Sequence, residues 1–443
     1  MFLKRKEQII EYQKDLDPTQ MAFCQNARLL YVNGNGALST KRWQVNSQWR
    51  EYYLQQVTLK GVPLWRVNQS ACPTCESLLV TGLGIERANA GELREIADKI
   101  NSGYVDFDSA VDSIMPLLSL LETGLYIVAD KWMFPTDGGE HFFWDVPDAP
   151  TPNMATAGMY LSQDEDFEYV YSAGEPAYLY PTQSVSCYNE ERVRYYMDKY
   201  KAGDTMPRAI AYHCTEWMSF LLDGHHKACA AILLGQPVRC LVIMPYQHGV
   251  WGGVRDKLRL KELCFEGMNV KVEEVPEKYL PGEQKPAFAP ASSIPEALES
   301  PEECRGSLGT RSWEETYRKA VASYPKVQQY AIMRSAGIVS RVTDRQIKEA
   351  LACPDQEGRR RLRGILTCLQ CSGDARLKDT ALACARMESP DYPRMGLGLK
   401  KHAFEFLCQI RDDEEIERFF IDCLAQDEDP HSELGWIASS YWD

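Results

Sequence analysis

The sequence predicts an α+β protein that ends in a separate, all-helical part. Three observations carry this reading. Residues 1–170 alternate short strand-like runs with glycine turns and a few helical stretches. Residues 171–274 hold the order strand, helix, strand, strand, helix, strand. Residues 313–443 show only the spacing of amphipathic helices. At 443 residues the chain is too long for one ordinary core, so two or three domains are expected.

The first 170 residues read as an α+β region of no recognisable type. "ARLLYVNGNGAL" and "KGVPLWRV" look like strands separated by glycine turns. "AGELREIADKI" and "DSAVDSIMPLLSLLETG" have helical spacing, and the second stops at a glycine. "LYIVADKWMFPTDGGEHFFWDV" reads as two strands around a turn at Thr136-Asp137-Gly138-Gly139.

Within an expected domain of residues 171–274, residues 174–246 form a denser unit. "AYLYPTQSVS" is strand-like, and "NEERVRYYMDKYKAG" is a helix. Asn189 caps that helix, Glu190 and Glu191 suit its positive end, and Gly203 closes it. Val193, Tyr196, Met197 and Tyr200 make its apolar face. The strands "RAIAYHC" and "WMSFLL" follow, then a second helix and the apolar strand "VRCLVIMP".

Residues 275–312 carry six prolines between Pro276 and Pro301, the composition of a linker or a surface loop. In the helical part, Leu362, Ile365, Leu366 and Leu369 share one face, as do Ile416, Phe419, Phe420, Cys423 and Leu424. Prolines at 354, 393 and 430 precede helical segments at separations of 39 and 37 residues. Helix pairs at that period suggest a short HEAT-like solenoid, with an irregular helical bundle as the alternative.

The formal net charge is −14, which argues against nucleic acid and anionic membranes as partners. No apolar run is long enough for a membrane span, and the charged N-terminus lacks a signal-peptide core. The 15 cysteines are odd in number and mostly set among apolar residues, as expected in a reducing compartment. A cytoplasmic protein is the expectation.

The chemistry-bearing stretch is "LLDGHHKACAAILLG", residues 221–235. A strand entering a glycine turn and then a helix leaves the first helical N–H groups unpaired and partly positive. A phosphate suits such a place. Gly224 lets the backbone come close, and His225, His226 and Lys227 add donors and charge. Asp223 sits where a carboxylate could hold a divalent metal such as Mg or take a proton, and Glu175 is a second candidate base.

The span from Tyr178 to Pro245 resembles the ParB/sulfiredoxin superfamily. The matching residues are "SVSCYNEERVRYYMDKYKAGDTMPRAIAY" and "LLDGHHKACAAILLGQPVRCLVI", in the family's order and spacing over nearly 70 residues. The resemblance implies a nucleotide, such as ATP, ADP or CTP, with its phosphates at the 223–227 turn. The family's reductases carry a cysteine where this chain has His225. Its DNA clamps carry a glutamate-arginine pair and a following helix-turn-helix; neither stands here. The usual last arginine of the signature is Lys227, which keeps the charge without the two-pronged geometry.

"ACPTCESLL" places Cys72 and Cys75 in a CxxC, half of a zinc site or a redox pair. No second CxxC lies nearby, so zinc is not expected and two ordinary thiols is the simpler reading. Cys368 and Cys371 read as buried thiols one turn apart. "TGLGIE" is read as a turn, and "RRRLR" at 359–363 as the solvated face of a helix. "DEEIE" at 413–417 is expected to stabilise a helix start.

Two functions fit these residues. One is a nucleotide-dependent phosphotransferase, hydrolase or sensor working at the 223–227 turn. The other is a non-catalytic scaffold, with a degenerate ParB-like domain and a protein-binding surface on the C-terminal helices. Histidines turned into the core would favour the second.

Overall fold

A computed structural model describes residues 9–46, 51–70, 77–81, 84–100, 103–136, 142–143, 157–159, 177–215, 218–252, 259–265, 268–282, 288–293, 311–312, 322–324, 329, 332–333, 336, 338, 342–387, 393–427 and 432–443. Helices and strands are both present, and the chain divides into two compact units. One comprises Met1–Ser162 with Gly174–Tyr324, the other Gln163–Ala173 with Pro325–Asp443.

The strands of the first unit are β1 (Ile10–Leu16), β2 (Cys24–Val32), β3 (Leu38–Asn46), β4 (Glu51–Leu59), β5 (Val62–Ser70), β6 (Ser77–Val80), β7 (Gly124–Pro135) and β8 (Ala157–Met159). They continue with β9 (Tyr178–Tyr180), β10 (Ala209–Thr215), β11 (Met218–Asp223), β12 (Val238–Pro245), β13 (His248–Gly252), β14 (Arg259–Cys264), β15 (Asn269–Lys271) and β16 (Arg311–Ser312). Among the described residues, five α-helices accompany them: α1 (Gly91–Ile100), α2 (Phe107–Ser113), α3 (Met115–Leu118), α4 (Glu190–Ala202) and α5 (His225–Leu233).

Seven strands form the central sheet in the order β1-β2-β7-β12-β10-β11-β9. β12 runs parallel to β10 and antiparallel to β7, with Leu241 opposite both Ile210 and Asp130. This arrangement corrects the expected division at residue 170. β1, β2 and β7 come from the N-terminal region, yet they complete the same sheet as β9–β12. The physical reason is edge pairing: β12 is buried along nearly its whole length and needs a partner on each side.

Both faces of the sheet are covered, so its inner strands read as continuous apolar runs rather than alternating ones. On one face, Val193 and Tyr196 of α4 and Ala228, Ala230 and Ala231 of α5 pack against Ala209, Ala211, Cys240 and Val242. The alanines let α5 lie close to the strands. Toward the other sheet, in the order β16-β8-β6-β5-β4-β3, the buried Trp65 of β5 stacks on Phe220 of β11 at 4.3 Å. Such a pair adds about 0.5–1.5 kcal/mol beyond the area it buries.

α4 behaves as its sequence indicates. Asn189 accepts from the Arg192 N–H, and Gly203 ends the helix in the left-handed region. The 275–312 stretch departs from a linker in its described parts. Val275 and Tyr279 are buried in the main core, with the Tyr279 ring 4.6 Å from Tyr31. Ala289 donates its N–H to the Arg42 carbonyl. Proline removes backbone donors but leaves side chains free to dock, and here an apolar pair outweighs the composition. The second strand expected after the 136–139 turn is not formed at Phe142 and Phe143, which make a buried bend.

The second unit holds α6 (Asp344–Leu351), α7 (Gln356–Ser372), α8 (Leu377–Ala385), α9 (Pro393–Cys408), α10 (Glu414–Gln426) and α11 (Glu433–Ser439). Leu362, Ile365, Leu366 and Leu369 are all buried, as their spacing requires, against Leu382, Phe404, Leu407, Ile416 and Phe420. Asp413 caps α10 by accepting from Glu415 and Ile416. Three expectations change. Leu424 is exposed, because the inward face of α10 centres on Ile416 and Phe420. Arg359 and Arg363 are buried rather than solvated, being one turn apart beside Leu362, and Arg359 donates to the Pro354 carbonyl. Cys371 is exposed, whereas Cys368 is half-buried. Among the described residues, no helix is long and apolar enough to cross a membrane.

Candidate functional site

The 223–227 turn joins β11 to α5 by the strand–glycine–helix path its sequence indicates. Gly224 has φ 97°, and a Cβ there would come within 2.7 Å of the Ala209 Cβ. The glycine is therefore required by its own backbone and by close packing on β10.

The next three side chains point into the protein. His225 is almost fully buried, and its Nε2 accepts from the Thr182 N–H at 2.9 Å. The Thr182 hydroxyl donates to the Leu221 carbonyl at 2.6 Å, which aligns that backbone donor with the ring. His226 Nε2 lies 3.0 Å from the Asn189 N–H and 2.9 Å from the Cys187 carbonyl, and meets one or the other according to its tautomer. Lys227 Nζ donates to the Arg208 carbonyl at 2.9 Å. Three consecutive residues thus pin the exit of β9, the start of α4 and the entry of β10 to the start of α5.

Burial governs how these groups titrate. It pushes His225 down to about 3, helped by the neighbouring His226, so the ring is neutral at ordinary pH. Burial also lowers His226, with Arg192 acting in the same direction. Lys227 is pushed down to about 8 by burial, against the pull of Asp223. Half-buried Asp223 is raised by burial, which outweighs Lys227, Arg192 and the Gly224 N–H.

His225 ties the stability of the fold to pH. Its folded pKa lies below the unfolded value near 6.5, so the unfolded chain binds the extra proton. The contribution of the neutral ring is complete above that value and is lost as pH falls from about 6.5 toward about 3. His225→Gln, which keeps an acceptor without titrating, is expected to flatten stability against pH between pH 6.5 and 4. Urea titrations of both proteins at several pH values check this; equal slopes would remove histidine protonation as the cause.

Glu175, Cys72 and Cys75 lie outside the described residues, so the turn's side chains are the sequence-derived candidates that the structure places. Among the described residues, no group of three or more His, Cys, Asp and Glu side chains is arranged to hold a metal ion.

A second polar centre was not singled out from the sequence. Asp130 on β7 is fully buried and accepts two hydrogen bonds from Arg208, each at 2.9 Å, and one from Arg239 at 2.6 Å. Arg208 lies 3.5 Å above the Tyr104 ring, and Arg239 lies 5.0 Å from the Trp132 ring. The available signal was a charge inside an apolar strand, as in "YIVADKWMF" and "VRCLVIMP". A strand covered on both faces must bury such a charge and pair it.

No protein-family model matches the chain, and no curated protein or solved structure matches it.

Proposed function

We propose that this chain is a binding protein whose ParB/sulfiredoxin-like segment is a non-catalytic scaffold and whose HEAT-like helical unit carries the surface for a protein partner. The inward turn of His225, His226 and Lys227 carries this reading. Each of these side chains meets a group of the chain itself, which makes them a latch between neighbouring elements. The helical unit contributes exposed apolar residues suited to a partner. Ile421 and Leu424 point away from the core on α10, and Trp442, also exposed, donates to Glu417 of that helix.

The competing reading, a nucleotide held at the turn for phosphotransfer or hydrolysis, is favoured by one observation. Gly224 provides no side-chain cap, so the first N–H groups of α5 have no partner of that kind. Asp223 or Glu175 would then act as base, with a divalent ion at the phosphates. A double His225→Ala, His226→Ala variant separates the readings. As a latch, its loss lowers the melting temperature and leaves any response to ATP, ADP, CTP or GTP unchanged. A variant that melts like the parent and has lost a nucleotide-dependent shift establishes the phosphate site instead.

A further inference from the structure

We infer that the groove beside the Asp130 centre is a binding site for a small oxyanion carried on a planar ring. The groove measures about 720 Å³, and Gln25, Trp132, Tyr200, Arg208 and Arg239 are among its lining residues. That volume lies within the usual range for small-molecule sites.

Charge comes first. Two guanidinium groups meet one buried carboxylate, so the centre holds one net positive charge. A buried charge of that kind needs a counter-charge or strong hydrogen bonds. Asp204, an acid that lines the groove, is paired with Lys199 at 3.0 Å.

Geometry comes second. Arg239 uses Nη2 on both Gln25 and Asp130, and its Nε and Nη1 make no hydrogen bond among the described residues. The carboxylate also fixes the guanidinium in place, so little side-chain freedom is lost when it receives an oxyanion.

The third element is apolar. Trp132 is 40% exposed, although it sits on a central strand directly opposite Arg239. A ligand ring lying on the indole would place its anionic group toward the guanidinium. An oxyanion on a ring is common to phosphate monoesters of nucleosides and to aromatic carboxylates, and the test distinguishes the two.

The experiment is calorimetric titration of the full chain with AMP, indole-3-acetate, adenosine and inorganic phosphate. At least one of the two ring-bearing anions is expected to bind more tightly than adenosine or phosphate alone. Arg239→Gln and Trp132→Leu are each expected to weaken that ligand at least tenfold. Arg239→Lys, which keeps the charge and alters the fork, is expected to fall between parent and Arg239→Gln. Thermal melts of each variant verify that it is folded. Absence of binding by both ring-bearing anions at millimolar concentration would overturn the inference. So would unchanged affinity in folded Arg239→Gln and Trp132→Leu proteins.

Discussion

Asp130→Ala is expected to destabilise the first unit by about 3–5 kcal/mol, the largest effect of any single substitution considered. The carboxylate is fully buried and serves two arginines that are themselves about nine-tenths buried. Its removal leaves like charges facing each other with their common partner gone. The asymmetry of buried ion pairs gives a second arm. Replacing Asp130, Arg208 and Arg239 together with Leu, Met and Met removes all three charges, and is expected to cost less than the single change. Urea unfolding of the three proteins measures both. A loss below about 1 kcal/mol for Asp130→Ala would show that water reaches the arginines freely.

Gly224→Ala is the next largest, at about 3 kcal/mol. A left-handed backbone costs an alanine roughly 1–2 kcal/mol, and crowding in a packed core about 1–3 kcal/mol more. The crowding is specific, since the new methyl would meet the Ala209 Cβ at 2.7 Å. Combining it with Ala209→Gly removes the contact but not the backbone strain. The pair is therefore expected to recover part of the loss beyond what the two single changes predict. Strict additivity in a double-mutant cycle would show that Ala209 does not set the requirement for glycine.

Local features were readable from the sequence wherever one short rule governs them. Asn189 and Gly203 bound α4 as caps of that kind should, and Asp413 starts α10. The strand–glycine–helix path at 223–225 is of the same sort. Long-range pairing was not readable. Nothing in "ARLLYV" or "LYIVADKW" says that these runs flank "VRCLVIMP", because a strand's partner is chosen by the whole sheet. The direction of His225 and His226 was not readable for a related reason. A histidine's role depends on what surrounds it, and Thr182, Cys187 and Asn189 are distant in sequence. The Asp130 centre lay in plain view as a charge within an apolar run, but its two arginines come from separate places, Arg208 just before β10 and Arg239 on β12.

The shared sheet also sets an order of events during synthesis. β7 pairs with β12, more than a hundred residues further along, and the ring of Tyr12 on β1 stacks on Tyr279 at 5.4 Å. Contacts between such distant parts slow folding, because long loops must close before any pairing rewards them. As the chain emerges from the ribosome, β2 and β7 can pair early, but β7 then waits with its second edge bare until residue 245 has appeared. That waiting edge is long and belongs to a largely apolar strand, so until β12 pairs with it a nascent chain of this protein is exposed to edge-to-edge aggregation there.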